Sequence, residues 1–380
     1  MISIRNYIVN NRLKFIDFAR GLVMILMALD HAAIYWNPGR AASEGLNGYR
    51  PKYSSLAQFF TRYVTHYCAP TFIFLAGTAL ALSTERRLMK GCSQKEISLR
   101  MIKRGIILII LEFILIAPVF RIGFFYFGVL ACIGTCFIIF SILRFLPTKA
   151  IFVMSVLMVA FHPYLDLSWI PSTPDWGYIL HLIIHEPSFR RKPWVGLYPI
   201  IPWLGVMGLG WCFGKILLNI KDVKELYSNG KYIALTGIGL ILAFFYIRFL
   251  NEFGNILHWK KLEIIDFMLV AKYPPSLALI SWTLGGMMLM LYAGLKIEEK
   301  GLTSNWLVQA ILTFGETPLF FYCVHIPLYS YIPVYTRTVR KYSLEITYAV
   351  WLIGLVVLYF LCKAYKKLKK IYPKSILQYI

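Results

Sequence analysis

The chain has 380 residues, 58% of them hydrophobic and only 15% charged, with a mean hydropathy of +0.63. Soluble domains are about 45–50% apolar and about 25% charged, so the composition excludes a soluble globular protein and predicts a polytopic membrane protein. The formal charge of +22 does not point to nucleic acid, because Lys and Arg fall in short clusters between apolar runs, the pattern of cytoplasmic loops.

A spanning helix needs about 20 mostly apolar residues. Ten such segments are predicted, near 14–36, 60–84, 100–120, 123–143, 148–164, 197–219, 232–250, 274–296, 306–332 and 345–364. No internal repeat, low-complexity tract or long linker divides them, so residues 1–380 read as a single all-α membrane domain. The first run carries Asp17 and Arg20 and has no clean small-residue cleavage site, so it reads as a retained helix rather than a signal peptide. With the N-terminus inside, 24 Lys and Arg fall on the inner side and 15 on the outer side. Both termini are therefore expected in the cytoplasm of a multi-pass cell-membrane protein, of the bacterial inner-membrane type. The longest outer segments are then 37–59, 165–196 and 251–273.

The first helix contains "DFARGLVMILMALDH". Eleven residues of α-helix rotate through about 1100°, so Arg20 and His31 share one face, roughly 16 Å apart along the axis. Asp17 is one turn before Arg20 and positioned to pair with it. Charges inside a membrane are costly and belong against a polar cavity. The alternative for this stripe is a buried polar latch between helices.

Two further histidines are placed at a similar depth. His66 stands in "RYVTHYCAPTFIFLAG" at the outer start of the second helix, and His325 in "FGETPLFFYCVHIPLY" in the outer half of the ninth. Neutral imidazole suits proton acceptance from a hydroxyl or amine. The three histidines sit on separate helices without paired-ligand spacing, so no metal is expected. His181 and His185 form an HxxxH in "HLIIH", but it lacks the Glu of HExxH and is a weak metal signal. The seven cysteines contain no CxxC pair and imply no disulfide or zinc framework.

In "KYPPS", Pro274 and Pro275 are expected to begin the eighth helix, with Lys272 either interfacial or in the outer substrate vestibule. In "GETP", Gly315 and Pro318 disrupt the ninth helix. Broken membrane helices border cavities, which makes Glu316 a pocket candidate.

Five segments, "RLKFIDFARGLVMILMALDHA", "THYCAPTFIFLAGTALAL", "LYPIIPWLGVMGLGWCFGK", "AKYPPSLALISWTLGG" and "FGETPLFFYCVHIPLY", resemble the heparan-alpha-glucosaminide N-acetyltransferase catalytic-domain family. They run in family order from residue 12 to about 330. The Arg20–His31 spacing is also similar to the first-helix motif of membrane O-acyltransferases of the acyltransferase-three family. The resemblance implies acyl transfer across a membrane, from cytoplasmic acetyl-CoA or another acyl-CoA to a sugar hydroxyl or amine on the far side. His31, Asp30 and His66 would then be catalytic, with His31 as base or acyl-carrying nucleophile held by Asp30 or another carboxylate. Arg20, Lys272, Glu316 and His325 would bind substrate, Arg20 along the donor channel. In the family's lysosomal member the reactive histidine lies in the stretch leading into the second helix; 37–62 here has none, and His66 is the nearest. The expected partners are a carbohydrate or glycolipid acceptor, membrane lipids and a second copy in a homodimer. The rival class is a ten-helix transporter moving a solute or protons.

Overall fold

The computed structural model describes residues 11–120, 125–171, 175–191, 194–373 and 375. Most of the described backbone is helical. Lys14–Trp36 forms α1. Leu56–Tyr63 (α2) runs through a 3-10 turn at Val64–Tyr67 into Cys68–Met89 (α3). Gln94–Leu111 is α4, opened by a reciprocal capping box between Ser93 and Glu96. It continues through a π turn at Glu112–Ile116 into Ala117–Phe120 (α5). Then follow Val129–Leu143 (α6), Thr148–Phe161 (α7), Asp175–Ile184 (α8), Ile200–Asn219 (α9), Val223–Leu250 (α10), Ile264–Met268 (α11), Leu277–Glu299 (α12), Trp306–Glu316 (α13), Pro318–Tyr335 (α14) and Leu344–Ile371 (α15).

Among the described residues, six helices or continuous helix pairs are long and apolar enough to cross a membrane, and α13 with α14 makes a seventh if that pair, bent by 94°, counts as one span. The remaining predicted spans differ for physical reasons. Helices α6 and α7 have 15 and 14 residues, about 22 Å at 1.5 Å per residue, short of a hydrocarbon core of about 30 Å. Helix α4 carries charges through its first half. The predicted span near 123–143 begins instead with a strand. Phe125–Phe127 (β1) pairs parallel with Trp194–Gly196 (β3), which pairs antiparallel with Ser188–Arg191 (β2).

Helix α1 is the central post. It packs against α3, α12, α13, α14 and α15, and Phe15, Ala19, Val23, Met24, Ala28 and Ala32 are fully buried. Helices α1 and α13 meet backbone to backbone. A Cβ added at Gly315 would stand 1.8 Å from the Asp17 carbonyl oxygen, and one at Gly21 would stand 2.0 Å from the Ile311 carbonyl oxygen. Such small-residue contacts replace the hydrophobic drive that lipid cannot supply. Helices α3 and α9 repeat the device, with Gly77 against Met207 and Gly210 against Phe74. Helices α10 and α15 lie outside this core and expose Leu242, Tyr246, Phe249, Val356 and Phe360, an apolar surface suited to lipid.

The break expected at "GETP" is present: Thr317 leaves helical geometry between α13 and α14. The expected helix start at Pro274 is displaced. Ser276 caps α12 by accepting from the Leu279 amide at 3.2 Å, and the two prolines stay in the preceding turn, where Lys272 bridges to Pro275.

Candidate active site

A cavity of about 340 Å³ opens beside the C-terminal half of α1, lined by residues that include Asp30, His31, Arg40, Arg62, Lys272 and Arg340. His31 does not use Asp30. Its Nδ1 lies 3.0 Å from the Met27 carbonyl oxygen and 2.8 Å from Nε2 of His325. His325 Nδ1 in turn lies 2.9 Å from the Phe321 carbonyl oxygen. A carbonyl only accepts, so in the neutral pair His325 Nδ1 carries its proton and His325 Nε2 is an acceptor. His31 Nδ1 must then be the donor, and His31 Nε2 keeps the basic lone pair. His325 is fully buried and lies behind His31 rather than on the cavity wall.

Asp30 is occupied elsewhere, which corrects the expectation that it holds His31. Arg40 reaches both of its oxygens, at 2.9 and 3.0 Å, and Arg62 Nη1 donates to it at 2.9 Å. Arg62 also grips Glu44 through Nε at 2.6 Å and Nη2 at 2.8 Å. Burial alone would push the Glu44 carboxyl up, but Arg62 outweighs it and holds that carboxyl well below the usual range. The Glu44 carbonyl oxygen accepts the Lys272 and Tyr273 amides at 2.9 and 3.1 Å, so this buried network also fixes the turn that presents Lys272. His66 stands behind the network. It is 2% exposed, its Nε2 lies 3.5 Å from Glu44, and it is not part of the cavity wall. Asp30 is thus on the cavity wall and His66 behind it, and the histidine pair joins α1 to α14.

A second cavity, of about 300 Å³, lies toward the N-terminal end of α1. Arg12, Arg20, Arg104, Lys369 and Glu316 are on its wall. Arg20 donates to Asp17 at 2.9 Å, as expected from their spacing, and to the Gly315 carbonyl at 3.1 Å. Arg12 binds both Asp17 oxygens at 2.9 Å. Glu316 pairs with Lys366, so it belongs to this chamber and not to the one holding His31. Phe72, Val129 and Tyr322 line both cavities. The two chambers thus meet at a collar of these three side chains, with Arg20 on one side and His31 on the other.

The HxxxH histidines lie apart from both chambers. His181 Nε2 contacts the Ile170 carbonyl at 2.8 Å, while His185 Nε2 lies 3.3 Å from His162. Among the described residues no group of three His, Cys, Asp or Glu is placed to hold a metal ion. Sequence reading missed Arg40, Arg62, Arg340 and the collar. Only Arg62 carried a local signal, a lone guanidinium in the largely apolar "FFTRYVTHY".

A helical membrane protein with two polar chambers meeting inside the bundle, one basic and one holding a histidine pair, has the layout of a transmembrane group-transfer enzyme. Residues 12–250, more than half of the chain, match the family described as heparan-alpha-glucosaminide N-acetyltransferase, catalytic, and the chain belongs to that family of membrane acetyltransferases. No curated protein matches the chain. The matched stretch contains Arg20, Asp30, His31 and His66; Lys272, Glu316 and His325 lie beyond it.

Proposed function

We propose that the protein moves an acyl group from acetyl-CoA or another acyl-CoA, held in the Arg20 chamber, to a sugar hydroxyl or amine in the His31 chamber. The observation that carries this reading is His31, backed by His325, on the wall of a cavity that shares its collar with a basic chamber. In this reading both termini and the Arg20 chamber face the cytoplasm, the side that the basic clusters favour.

Arg20, Arg12 and Arg104 supply cations for the donor's phosphates or its polar arm. The thioester reaches past Phe72, Val129 and Tyr322. His31 Nε2 takes the proton from the acceptor hydroxyl or amine as that atom bonds to the thioester carbonyl carbon. The carbon–sulfur bond breaks, the coenzyme leaves as thiolate, and the proton on His31 returns to the sulfur. His325 holds His31 in the tautomer that keeps Nε2 basic, the role of the orienting group in a nucleophile–base–orienter chain. A positioned general base contributes about 10²–10⁴-fold in rate.

Free thiol released from acetyl-CoA by purified protein in detergent tests the reading. Release that depends on an acceptor sugar, needs no gradient and falls at least 10²-fold in His31→Ala supports it. Folded protein that releases no thiol with any envelope glycan, yet moves solute in sealed vesicles, would place it among transporters. Mass spectrometry of envelope glycans with and without the gene names the acceptor.

A further inference from the structure

The His31 chamber holds more positive charge than its own carboxylates neutralise. Arg40, Arg62, Lys272 and Arg340 are on its wall, with Asp30 the one carboxylate among the described lining residues. Asp30 is shared by Arg40 and Arg62, and Glu44, behind the wall, is held by Arg62. Lys272 and Arg340 make no ion pair among the described residues. Lys272 is 4% exposed. Among the described residues its ammonium donates no hydrogen bond and forms no ion pair; it feels the Asp30 carboxylate only at longer range and stands over the Tyr273 ring, with Nζ 5.5 Å from the centroid. A buried ammonium without a bonded counter-charge of its own is costly; Asp30 is already bonded to Arg40 and Arg62, and a cation–π contact returns only about 0.5–2 kcal/mol. Arg340 is kept on the rim by backbone contacts, its Nε donating to the Ile34 carbonyl at 3.2 Å and its amide to the Tyr35 carbonyl at 2.8 Å. These contacts leave the rest of its guanidinium fork for a ligand.

We infer that this chamber takes an acceptor bearing a carboxylate or phosphate, with Lys272 as its anchoring cation and Arg340 as a second contact at the rim. The inference rests on the acyl-transfer reading for the word acceptor; the anion site itself rests on the unpaired ammonium in the cavity. An anion held there would neutralise Lys272 and bring a neighbouring hydroxyl or amine of the same molecule into the cavity that His31 lines. A uronate and a sugar phosphate share this chemistry and differ in shape and charge.

The experiment is direct binding to the purified full chain in detergent by isothermal titration calorimetry, with glucose, glucuronate and glucose 1-phosphate as probes. The expected result is at least tenfold tighter binding of one or both anionic sugars than of glucose. That preference falls at least fivefold in Lys272→Gln, survives in Lys272→Arg, and weakens with added salt. Glucuronate ahead of the phosphate assigns a carboxylate, and the reverse order assigns a phosphate. Arg340→Gln, at an exposed position, reports on the same preference if Lys272→Gln does not fold. Equal affinity for all three sugars, no saturable binding of either anion, or a preference that persists in both glutamine variants overturns the proposal. Lys272-dependent anion binding without acyl transfer would leave this site standing and remove the acyltransferase reading. Transfer to neutral sugars with the same kcat/KM as to anionic ones would do the opposite.

Discussion

His325 Nε2 accepts a hydrogen bond from His31 Nδ1 across 2.8 Å, and this contact between α1 and α14, together with the Met27 carbonyl at 3.0 Å, leaves Nε2 as the basic nitrogen of His31. His31→Ala removes the base and is expected to lower transfer by about 10²–10⁴-fold. His325→Leu removes only the orienter. It should lower kcat by roughly 10–100-fold, less than loss of the base itself, and leave the KM for both substrates within a few-fold. His325→Gln keeps an acceptor at this depth and should recover much of the lost kcat. Steady-state kinetics on the three variants separate the roles. Equal losses in His325→Leu and His325→Gln, accompanied by a raised KM, would instead make His325 a packing residue.

Arg20 links Asp17 on its own helix to the Gly315 carbonyl at the break before α14. Its guanidinium lines the basic chamber, so Arg20→Ala is predicted to raise the KM for acyl-CoA about 10–100-fold. That corresponds to losing a charged hydrogen bond of about 1.5–3 kcal/mol. The KM for the acceptor should hardly move. Arg104→Ala, which disturbs no ion pair in the α1–α13 contact, should shift donor KM in the same direction. An unchanged donor KM in both folded variants would make the arginines structural partners of Asp17 and the bundle.

The sequence exposed this architecture where chemistry recurs at helical spacing. Asp17, Arg20 and His31 could be placed on one face because eleven residues nearly close three turns, and the break at Gly315–Pro318 was visible from residue type alone. The spans α1, α3, α9, α10, α12 and α15 were readable from their apolar length. What could not be read was which helices touch. Asp30 is adjacent to His31 in sequence, yet successive helical residues point about 100° apart, and Arg40 and Arg62 reach its carboxylate from the following loop and helix. The true neighbour of His31 is 294 positions away. Arg340, in the loop before α15, joins the rim of the His31 chamber through carbonyls of α1, a pairing that no local pattern announces. Strand β1 was hidden for a related reason, since a run of aromatic residues fits a buried strand as well as a helix.

The collar supplies a prediction separate from the charged groups. Phe72, Val129 and Tyr322 line both chambers, so enlarging one of them should block passage while leaving each chamber intact. Val129→Phe is expected to lower turnover at least tenfold, with binding of donor and acceptor, measured separately by calorimetry, within a few-fold of the parent. Overpacking typically costs about 1–3 kcal/mol of stability, which thermal unfolding can report alongside. A Val129→Ala variant with undiminished or raised turnover would agree with a steric passage. If Val129→Phe turned over normally, the acyl group would need another route between the chambers.

The Glu44–Arg62 pair supports the His31 chamber from beneath. Glu44 is fully buried and doubly bonded to Arg62, and its own backbone carries the turn that presents Lys272. Glu44→Gln leaves the Arg62 guanidinium half compensated, because Asp30 still holds it. The expected loss of stability is about 3 kcal/mol, the low end of the ~3–5 kcal/mol for breaking a buried pair. The pH dependence has a definite sign. Arg62 holds the Glu44 carboxyl below its ordinary value of 4.5 in the folded chain, so the stabilisation is fully present above that value. It is lost progressively as the pH falls from there down through the lower folded-state value. Unfolding followed by intrinsic tryptophan fluorescence in detergent should therefore give a gap in Tm between parent and variant that is constant from about pH 8 to about pH 5. The gap should begin to close below about pH 4.5, near the ordinary carboxyl value. Asp30 and Arg40 remain in both proteins, so their own titration largely cancels in the comparison. A gap absent at pH 7, or one that widens on acidification, would mean that Glu44 is not held as an ion beneath the site, and the support for Lys272 would have to come from the turn alone.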